Sequence, residues 1–306
     1  MTLQQFNYII AVDNERHFAR AAEACHVTQP TLSMMIQKLE DELDLQLFDR
    51  SKQPVMPTTD GKLLIEQARV ILQEVGKFKE ISNKSKEVIS GELRVGIIPT
   101  LASYLMPLFI REFLHKYPLV KLIVEEINTE RIIKSLKKGV LDVGILATPL
   151  HEPSILEQVL FYEEFFLYSP QAQKKNFIVP EEINPHELLL LEEGHCLRGQ
   201  VMNLCELRRK EDKQLVYQSG SLETLIHLVD SQQGITILPE LAALRLSPKK
   251  QEQLTCFQNP SPVREISLIK HRNFVKSRLI DLLGEEILLH LPKSLQKKKE
   301  VHVVEL

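Results

Sequence analysis

The segment GHCLRGQVMNLC holds Cys196 and Cys205 nine positions apart, and nowhere else in this sequence are residues better placed to do chemistry. The thiolate, not the thiol, is the nucleophilic form of cysteine, so reactivity depends on what stabilises the anion. Cys196 follows Gly194-His195 at the expected start of a helix. There the exposed backbone N–H groups and the helix dipole favour negative charge, which should depress the thiol pKa. A thiolate so placed can attack the O–O bond of a peroxide, and the sulfenic acid it becomes condenses with a second thiol. Zinc held by His195, Cys196 and Cys205 is a competing chemistry, but the spacing matches no common ligand pattern, so no metal is expected. His195 also reads as a purely local hydrogen-bonding residue. Cys25 and Cys256 read as small buried hydrophobes, one on an apolar helix face and one in a strand.

The chain that positions these residues has 306 residues, too many for one ordinary hydrophobic core, so two or three folding units are expected. With 43% hydrophobic and 26% charged residues it lies in the globular range. Residues 1–10 lack the basic and apolar regions of a signal peptide, and no stretch approaches the roughly 18 apolar residues of a membrane span. A cytoplasmic protein without a membrane partner is expected. Four cysteines are too sparse for a disulfide scaffold, so any pairing would be a redox event. A net charge of −3 gives no global sign of a polyanion partner, and only local geometry can argue for nucleic acid. The KSLQKKKE charge run reads as a solvated tail.

Three periodicity regimes follow one another. From Leu3 to about Phe48, Phe6, Ile9, Ile10, Phe18, Ala21, Ala22, Leu32, Ile36, Leu39 and Leu43 form helical stripes. The stretch from Arg50 to Thr59, with two prolines and no helical period, suits a short two-stranded wing. Thr58 or Thr59 then caps a helix to about Ile89, in which Leu64, Ala68, Ile71, Val75 and Phe78 stand 4, 3, 4 and 3 apart. That spacing is a coiled-coil seam and predicts a paired chain; packing on its own chain is the alternative. From Gly91, β-branched runs alternate with amphipathic helices (LRVGII, VKLIVEE, LDVGILA), which predicts parallel sheets with crossover helices. EEFFLYS, ELLLLE, LVYQS, GITILP, LTCF and EISLI continue as strands, before a final helix from about Val275.

The expected fold class is therefore mixed α/β. An all-α winged helix-turn-helix spans 1–58, a linker helix 59–90, and a two-lobed α/β regulatory domain of periplasmic-binding-protein type 91–306. Lobe I takes about 91–162 and 265–306, lobe II about 163–264, with crossover strands near Glu163 to Tyr168 and Arg264 to Ile269. A cleft between lobes is where a signal would be read.

In FARAAEACHVTQPTLSMMIQKLEDEL a helix of small residues meets a tight turn at His26 and Val27, and Thr28 opens a second helix with Pro30 in its first turn. Leu32, Ile36, Leu39 and Leu43 point inward, leaving Gln29, Thr31, Ser33, Gln37 and Lys38 on the other face. Short polar side chains at a helix N-terminus are what major-groove insertion requires. The motif AAxxxxxTQPTLSxxIxxLExxLxxxLFxR, followed by the proline-containing wing and a Thr-rich helix start, resembles the LysR-type regulators, and the similarity spans the whole chain. The resemblance implies double-stranded DNA as partner, with Thr28, Gln29, Pro30, Thr31, Ser33, Gln37 and Lys38 at the groove and Arg50 on phosphate. Gln37 stands where the family often has Arg.

GHCLRGQVMNLC, SLETL and GITILP resemble the OxyR branch of that family, the peroxide-sensing activators. This implies a reactive Cys196 with Cys205 as resolving partner, and Thr100, Thr129, His195 and Arg264 as peroxide-pocket residues. Thr100, after Pro99, has helix N-capping as its other reading. The resemblance further implies no cofactor, a homodimer or homotetramer, RNA polymerase as partner, hydrogen peroxide as signal, and a reductant such as glutaredoxin or thioredoxin. Two other readings stand beside it: a LysR-type regulator sensing a small metabolite in the interlobe cleft, and an enzyme, a thiol peroxidase, which would have no use for a helix-turn-helix. If CLRGQVMNLC is one helix, its two cysteines lie about 13.5 Å apart on nearly opposite faces, well beyond the roughly 7 Å a disulfide spans. Pairing them would then require refolding, which Gly199 eases.

Overall fold

The computed structural model describes residues 1–83, 89–170, 177–206, 220–272, 274, 277–296 and 302–306. It divides into two compact units, one covering Met1–Glu87 and the other Val88–Arg272 with Ser277–Leu306.

The first unit begins with α1 (Leu3–Glu15), closed by a capping box between Thr2 and Gln5, and ending at Arg16 in the left-handed region. A short α2 (Phe18–Ala24) and a turn in which His26 has φ 55° lead to α3 (Gln29–Leu43). The Thr28 hydroxyl accepts from Thr31 N, and Pro30 lies in the first turn, where its missing N–H costs nothing. Tyr8, Ile9, Val12, Ala21, Ala22, Leu32, Ile36 and Leu39 close the core between the three helices. The wing is β1 (Phe48–Asp49) paired antiparallel with β2 (Met56–Pro57). The long helix α4 (Thr59–Asn83) follows, with the Thr58 hydroxyl accepting from Gly61 N at 2.9 Å. Gly61 is required there, since a Cβ would stand 2.0 Å from Leu47 O. The expected extension of this helix to about Ile89 falls on residues 84–88, which lie outside the described residues; Ile89 itself is not helical.

In the second unit β3 (Gly91–Ile97), α5 (Pro99–Lys116), β4 (Val120–Glu126), α6 (Thr129–Lys137) and β5 (Val143–Thr148) form the expected strand–helix alternation. A long β6 (Ile155–Tyr168) and a short β7 (Phe177–Ile178) precede α7 (Cys196–Leu204). Then come α8 (Leu222–Asp230), β8 (Thr236–Pro239), α9 (Glu240–Ala243), α10 (Pro248–Gln251) and β9 (Leu254–Phe257). The chain returns through β10 (Pro262–His271), α11 (Ser277–His290) and β11 (His302–Val303).

Sheet order is β4-β3-β5-β10-β6-β9-β7, with β11 on β10 and β8 on β6. The expectation of parallel sheets holds for β4-β3-β5, but β10 runs antiparallel to both β5 and β6, so the sheet is mixed. These two long strands are the expected crossovers. They hydrogen-bond side by side, which two strands returning in opposite directions can do only as an antiparallel pair.

Three further expectations differ from the structure. ELLLLE forms no extended strand among the described residues: Leu188, Leu189 and Leu191 are buried, Leu188 pairs in parallel with Ile235, and Leu191 also stands in an isolated bridge. The Leu191 carbonyl is taken by Arg198 Nη1 at 2.8 Å, and the chain must then turn at Gly194 (φ 95°) to enter α7. Residues 302–306, assigned to lobe I, pair with β10 at Pro262 and Val263 and pack on α7, within the lobe II range. Cys256, expected buried, is exposed on β9, while Cys25 is partly buried against the helix-turn-helix core. LVYQS (215–219), Val275 and residues 297–300 of the KSLQKKKE run lie outside the described residues. Among those described, no helix is long and apolar enough to cross a membrane.

Candidate functional site

Cys196 is the first residue of α7, with His195 in extended backbone as its N-cap. The backbone N–H groups of Cys196 and Leu197 both pull the thiol pKa down, as a helix start should. The Thr129 hydroxyl and, more strongly, the Arg264 charge pull the same way. Burial outweighs them all and holds the thiol above its ordinary range. The depressed thiol expected from the helix dipole is thus corrected, because desolvating a sulfur anion costs more than one helix end returns.

A pocket of ≈ 480 Å³ opens at Cys196, lined among others by Thr129, Gly194, His195, Glu305 and Leu306. Thr129 is the first residue of α6, and Asn128, not Thr129, caps that helix by accepting from Arg131 N. Its hydroxyl is therefore left over: Thr129 Oγ1 is buried with no well-formed hydrogen-bond partner among the described residues. A buried hydroxyl in that state is a ready donor or acceptor for a small polar guest. His195 Nε2 lies 3.6 Å from Glu192 Oε1.

Arg264, on β10, and Thr100 do not line the Cys196 pocket; Arg264 bears on Cys196 through its charge. Its side chain is wholly buried, and Arg264 Nε donates to Glu163 Oε2 at 2.7 Å. The two residues are direct cross-strand partners of β10 and β6, and Glu163 also accepts from Leu241 N, at 2.6 Å. The other two guanidinium nitrogens each donate to Thr100, Nη1 to Oγ1 at 3.0 Å and Nη2 to the carbonyl at 3.2 Å. Thr100 is therefore not an N-cap, since Ile98 holds that position without a side-chain bond. Thr100 and Glu163 hold Arg264, and Arg264 acts on Cys196. Sequence reasoning missed Glu163; the signal for it was a carboxylate in one crossover strand opposite an arginine in the other.

Cys205 lies at the opposite end of α7, as its C-cap, and is absent from the Cys196 pocket. Burial, aided by the Glu181 charge, pushes its thiol up to about 11. Both cysteines are thiols joined by an intact helix, so their Cα atoms stand about 13–14 Å apart by helical rise.

In the first unit, Thr28, Gln29, Pro30, Thr31, Gln37 and Lys38 are exposed on α3 and Ser33 is half-buried. Thr28 and Thr31 share a 2.8 Å hydroxyl contact, and Gln37 Nε2 donates to Asp41 at 2.9 Å. Arg50 is not simply a free phosphate ligand. Its Nη2 donates to the buried Glu40 at 2.7 Å, and its guanidinium sits 5.4 Å over the Phe18 ring. Glu40 also accepts from Leu47 and Phe48 N, so it ties the wing to α3. Along α4 the burial of the expected seam falls off. Ala68 is buried in its own core with Leu64 beside it, Ile71 and Val75 are half-buried, and Phe78 is 77% exposed.

The family model described as the bacterial regulatory helix-turn-helix protein, lysR family, matches residues 3–62, and that of the LysR substrate binding domain matches residues 86–291. The chain is 36% identical over 306 residues to the hydrogen peroxide-inducible genes activator of Dickeya chrysanthemi, covering 96% of this chain and 98% of that one. It is 37% identical over 276 residues to the DNA-binding transcriptional dual regulator OxyR of Escherichia coli, covering 88% and 89%. Among solved structures it is similar to a full-length OxyR variant from Pseudomonas aeruginosa, with TM-score 0.79, 35% identity and coverage of 95% and 99%. A cysteine variant of Corynebacterium glutamicum OxyR, solved with H2O2 bound, matches with TM-score 0.61, 25% identity and coverage of 99% and 98%. A lysR-family helix-turn-helix followed in sequence by a LysR substrate binding domain, with relatives matched along nearly the whole length, makes this chain a member of the LysR family and, within it, of the OxyR branch.

Proposed function

We propose that this protein is a DNA-binding transcriptional activator switched by hydrogen peroxide through oxidation of Cys196. The observation that carries the reading is Cys196 at a helix start, facing a pocket beside the buried Thr129 hydroxyl, which favours the thiolate, and under the charge of Arg264. Cys196 loses its proton and the sulfur attacks one peroxide oxygen. The O–O bond breaks, and the departing hydroxide takes up a proton to leave as water. Thr129, His195 and the Arg264–Thr100 pair supply preorganised polarity for the developing charge. Cys205 sulfur then displaces water from the Cys196 sulfenic acid. Two thiols are oxidised to one disulfide and one H2O2 is reduced to two waters. The second step needs α7 to unwind, because an intact nine-residue helix keeps the sulfurs apart.

The refolded segment changes the apolar surface of the regulatory domain and thereby the pairing of subunits. The lower half of the α4 seam, Ile71, Val75 and Phe78, serves a homodimer that the regulatory domains extend to a tetramer. Thr28, Gln29, Pro30, Thr31, Ser33, Gln37 and Lys38 meet duplex DNA, with Arg50 beside a phosphate. RNA polymerase and a thiol reductant of the glutaredoxin or thioredoxin type complete the cycle.

Thiol mass mapping with amide hydrogen exchange tests the reading. Cys196→Ser should abolish the peroxide response and keep DNA binding, and Cys205→Ser should trap the sulfenic acid. A verified disulfide with unchanged protection over residues 196–205 would overturn the refolding step. Unmodified Cys196 after peroxide would overturn the reading as a whole.

A further inference from the structure

Residues 302–306, read in the sequence as part of lobe I, lie in the structure along α7. β11 adds to β10 in parallel register at Pro262 and Val263, with Val304 N donating to Val263 O at 2.9 Å. Val304 itself is buried. Past β11 the backbone runs along α7. Gln200, which is wholly buried, donates through Nε2 to Val304 O at 3.0 Å, and Asn203 Nδ2 donates to Glu305 O at 3.2 Å. A Cβ on Gly199 would stand 3.6 Å from the Leu306 carbonyl carbon. Glu305 and Leu306 reach the wall of the Cys196 pocket itself. The segment therefore bonds α7 at Gln200 and Asn203, lies beside Gly199, borders the Cys196 pocket, and is anchored on the strand that carries Arg264.

We propose that residues 302–306 are a positioning strap for the Cys196–Cys205 switch, holding α7 helical and so setting the midpoint at which the pair oxidises. The inference rests on the redox reading above. Bringing the two cysteines together breaks the α7 helix, and with it the Gln200–Val304 and Asn203–Glu305 bonds. Those bonds exist only in the dithiol state, so they favour that state, and losing them favours the disulfide. One or two hydrogen bonds of ordinary strength correspond to about a tenfold change in that equilibrium.

The full chain is equilibrated in dithiothreitol redox buffers and the Cys196–Cys205 disulfide is quantified by mass. Three variants are compared with wild type: deletion of 302–306, Gln200→Ala, and Val12→Ala as a control that loosens the DNA-binding unit. The strap predicts that the deletion shifts the disulfide-to-dithiol ratio about tenfold toward disulfide, equivalent to about 30 mV. Gln200→Ala should move it the same way by less, Val12→Ala should leave it unmoved, and amides 197–204 should exchange faster in the first two. Should the deletion fail to fold, Gln200→Ala decides alone. Wild-type protein that switches while the folded strap variants keep its midpoint refutes the strap only. Wild-type protein that forms no disulfide refutes the redox reading, and the strap's role falls with it.

Discussion

Glu163→Gln tests whether Arg264 is held by a buried charge. Both side chains of the Glu163–Arg264 pair are 0% exposed, with 2.7 Å between nitrogen and oxygen. Gln keeps nearly the same volume and one acceptor, for Leu241 N, but its NH2 then faces Arg264 Nε, so the variant loses both the charge and that acceptor. Arg264 is then left with two neutral oxygens of Thr100, at 3.0 and 3.2 Å. Removing one partner of a buried pair strands the other charge and costs about 3–5 kcal/mol, whereas replacing both partners by apolar groups costs far less. The expected loss moves the urea midpoint of the regulatory unit down by about 1 M or more. The double variant Glu163→Leu with Arg264→Met should recover most of it, giving a coupling energy of the same order as the single loss. A second readout follows the site itself. Arg264 without its neutralising carboxylate pulls the Cys196 thiol down, so alkylation of Cys196 at neutral pH should quicken. The argument is refuted if Glu163→Gln costs under about 1 kcal/mol, or if the double variant is as unstable as the two singles added.

Gly199→Ala meets only ordinary van der Waals contact, at 3.6 Å from Leu306, and should stabilise α7 by up to about 1 kcal/mol; stopped-flow oxidation should then show slower disulfide formation with unchanged sulfenic acid formation. Burial holds both α7 thiols above the ordinary value of 9.0, with Cys205 at about 11, so the folded chain keeps these protons longer than the unfolded one. Stability is therefore complete below about pH 9 and falls as pH rises toward about 11, and urea titrations across that window should show a smaller fall in Cys205→Ser. Gln29→Ala or Ser33→Ala should weaken operator binding by about 1–3 kcal/mol and relax base preference, as read by footprinting on matched and altered sites. Arg50→Ala should weaken all sequences alike and also lower the melting temperature, because its Glu40 partner is buried. Ile71→Glu with Val75→Glu should sediment as a monomer, and normal assembly would mean that the α4 seam serves only its own chain.

What short stretches of sequence encode was legible in them. The stripe Leu32, Ile36, Leu39 and the cap Thr28 are settled by neighbours within one or two turns, and they placed α3 and its polar face correctly. The β-branched runs placed β3, β4 and β5, and Gly194-His195 placed the start of α7. Tertiary structure decided whatever depends on which distant segments meet. Register between β6 and β10 set Glu163 opposite Arg264, and through it the role of Thr100 as a holder of the guanidinium. A one-residue slip would have put either side chain on the other face of the sheet. Desolvation decided the Cys196 thiol, since the helix dipole is a local property but burial is a sum over everything packed around it. Leu188 to Leu191 carry an apolar run without alternation; it pairs with Ile235 through backbone bonds, while the side chains of Thr236 and Arg198 take the Leu189 and Leu191 carbonyls. Residues 302–306 give no periodic signal at all; their place along α7 comes from an open β10 edge and the buried amide of Gln200, which no window of sequence around them contains.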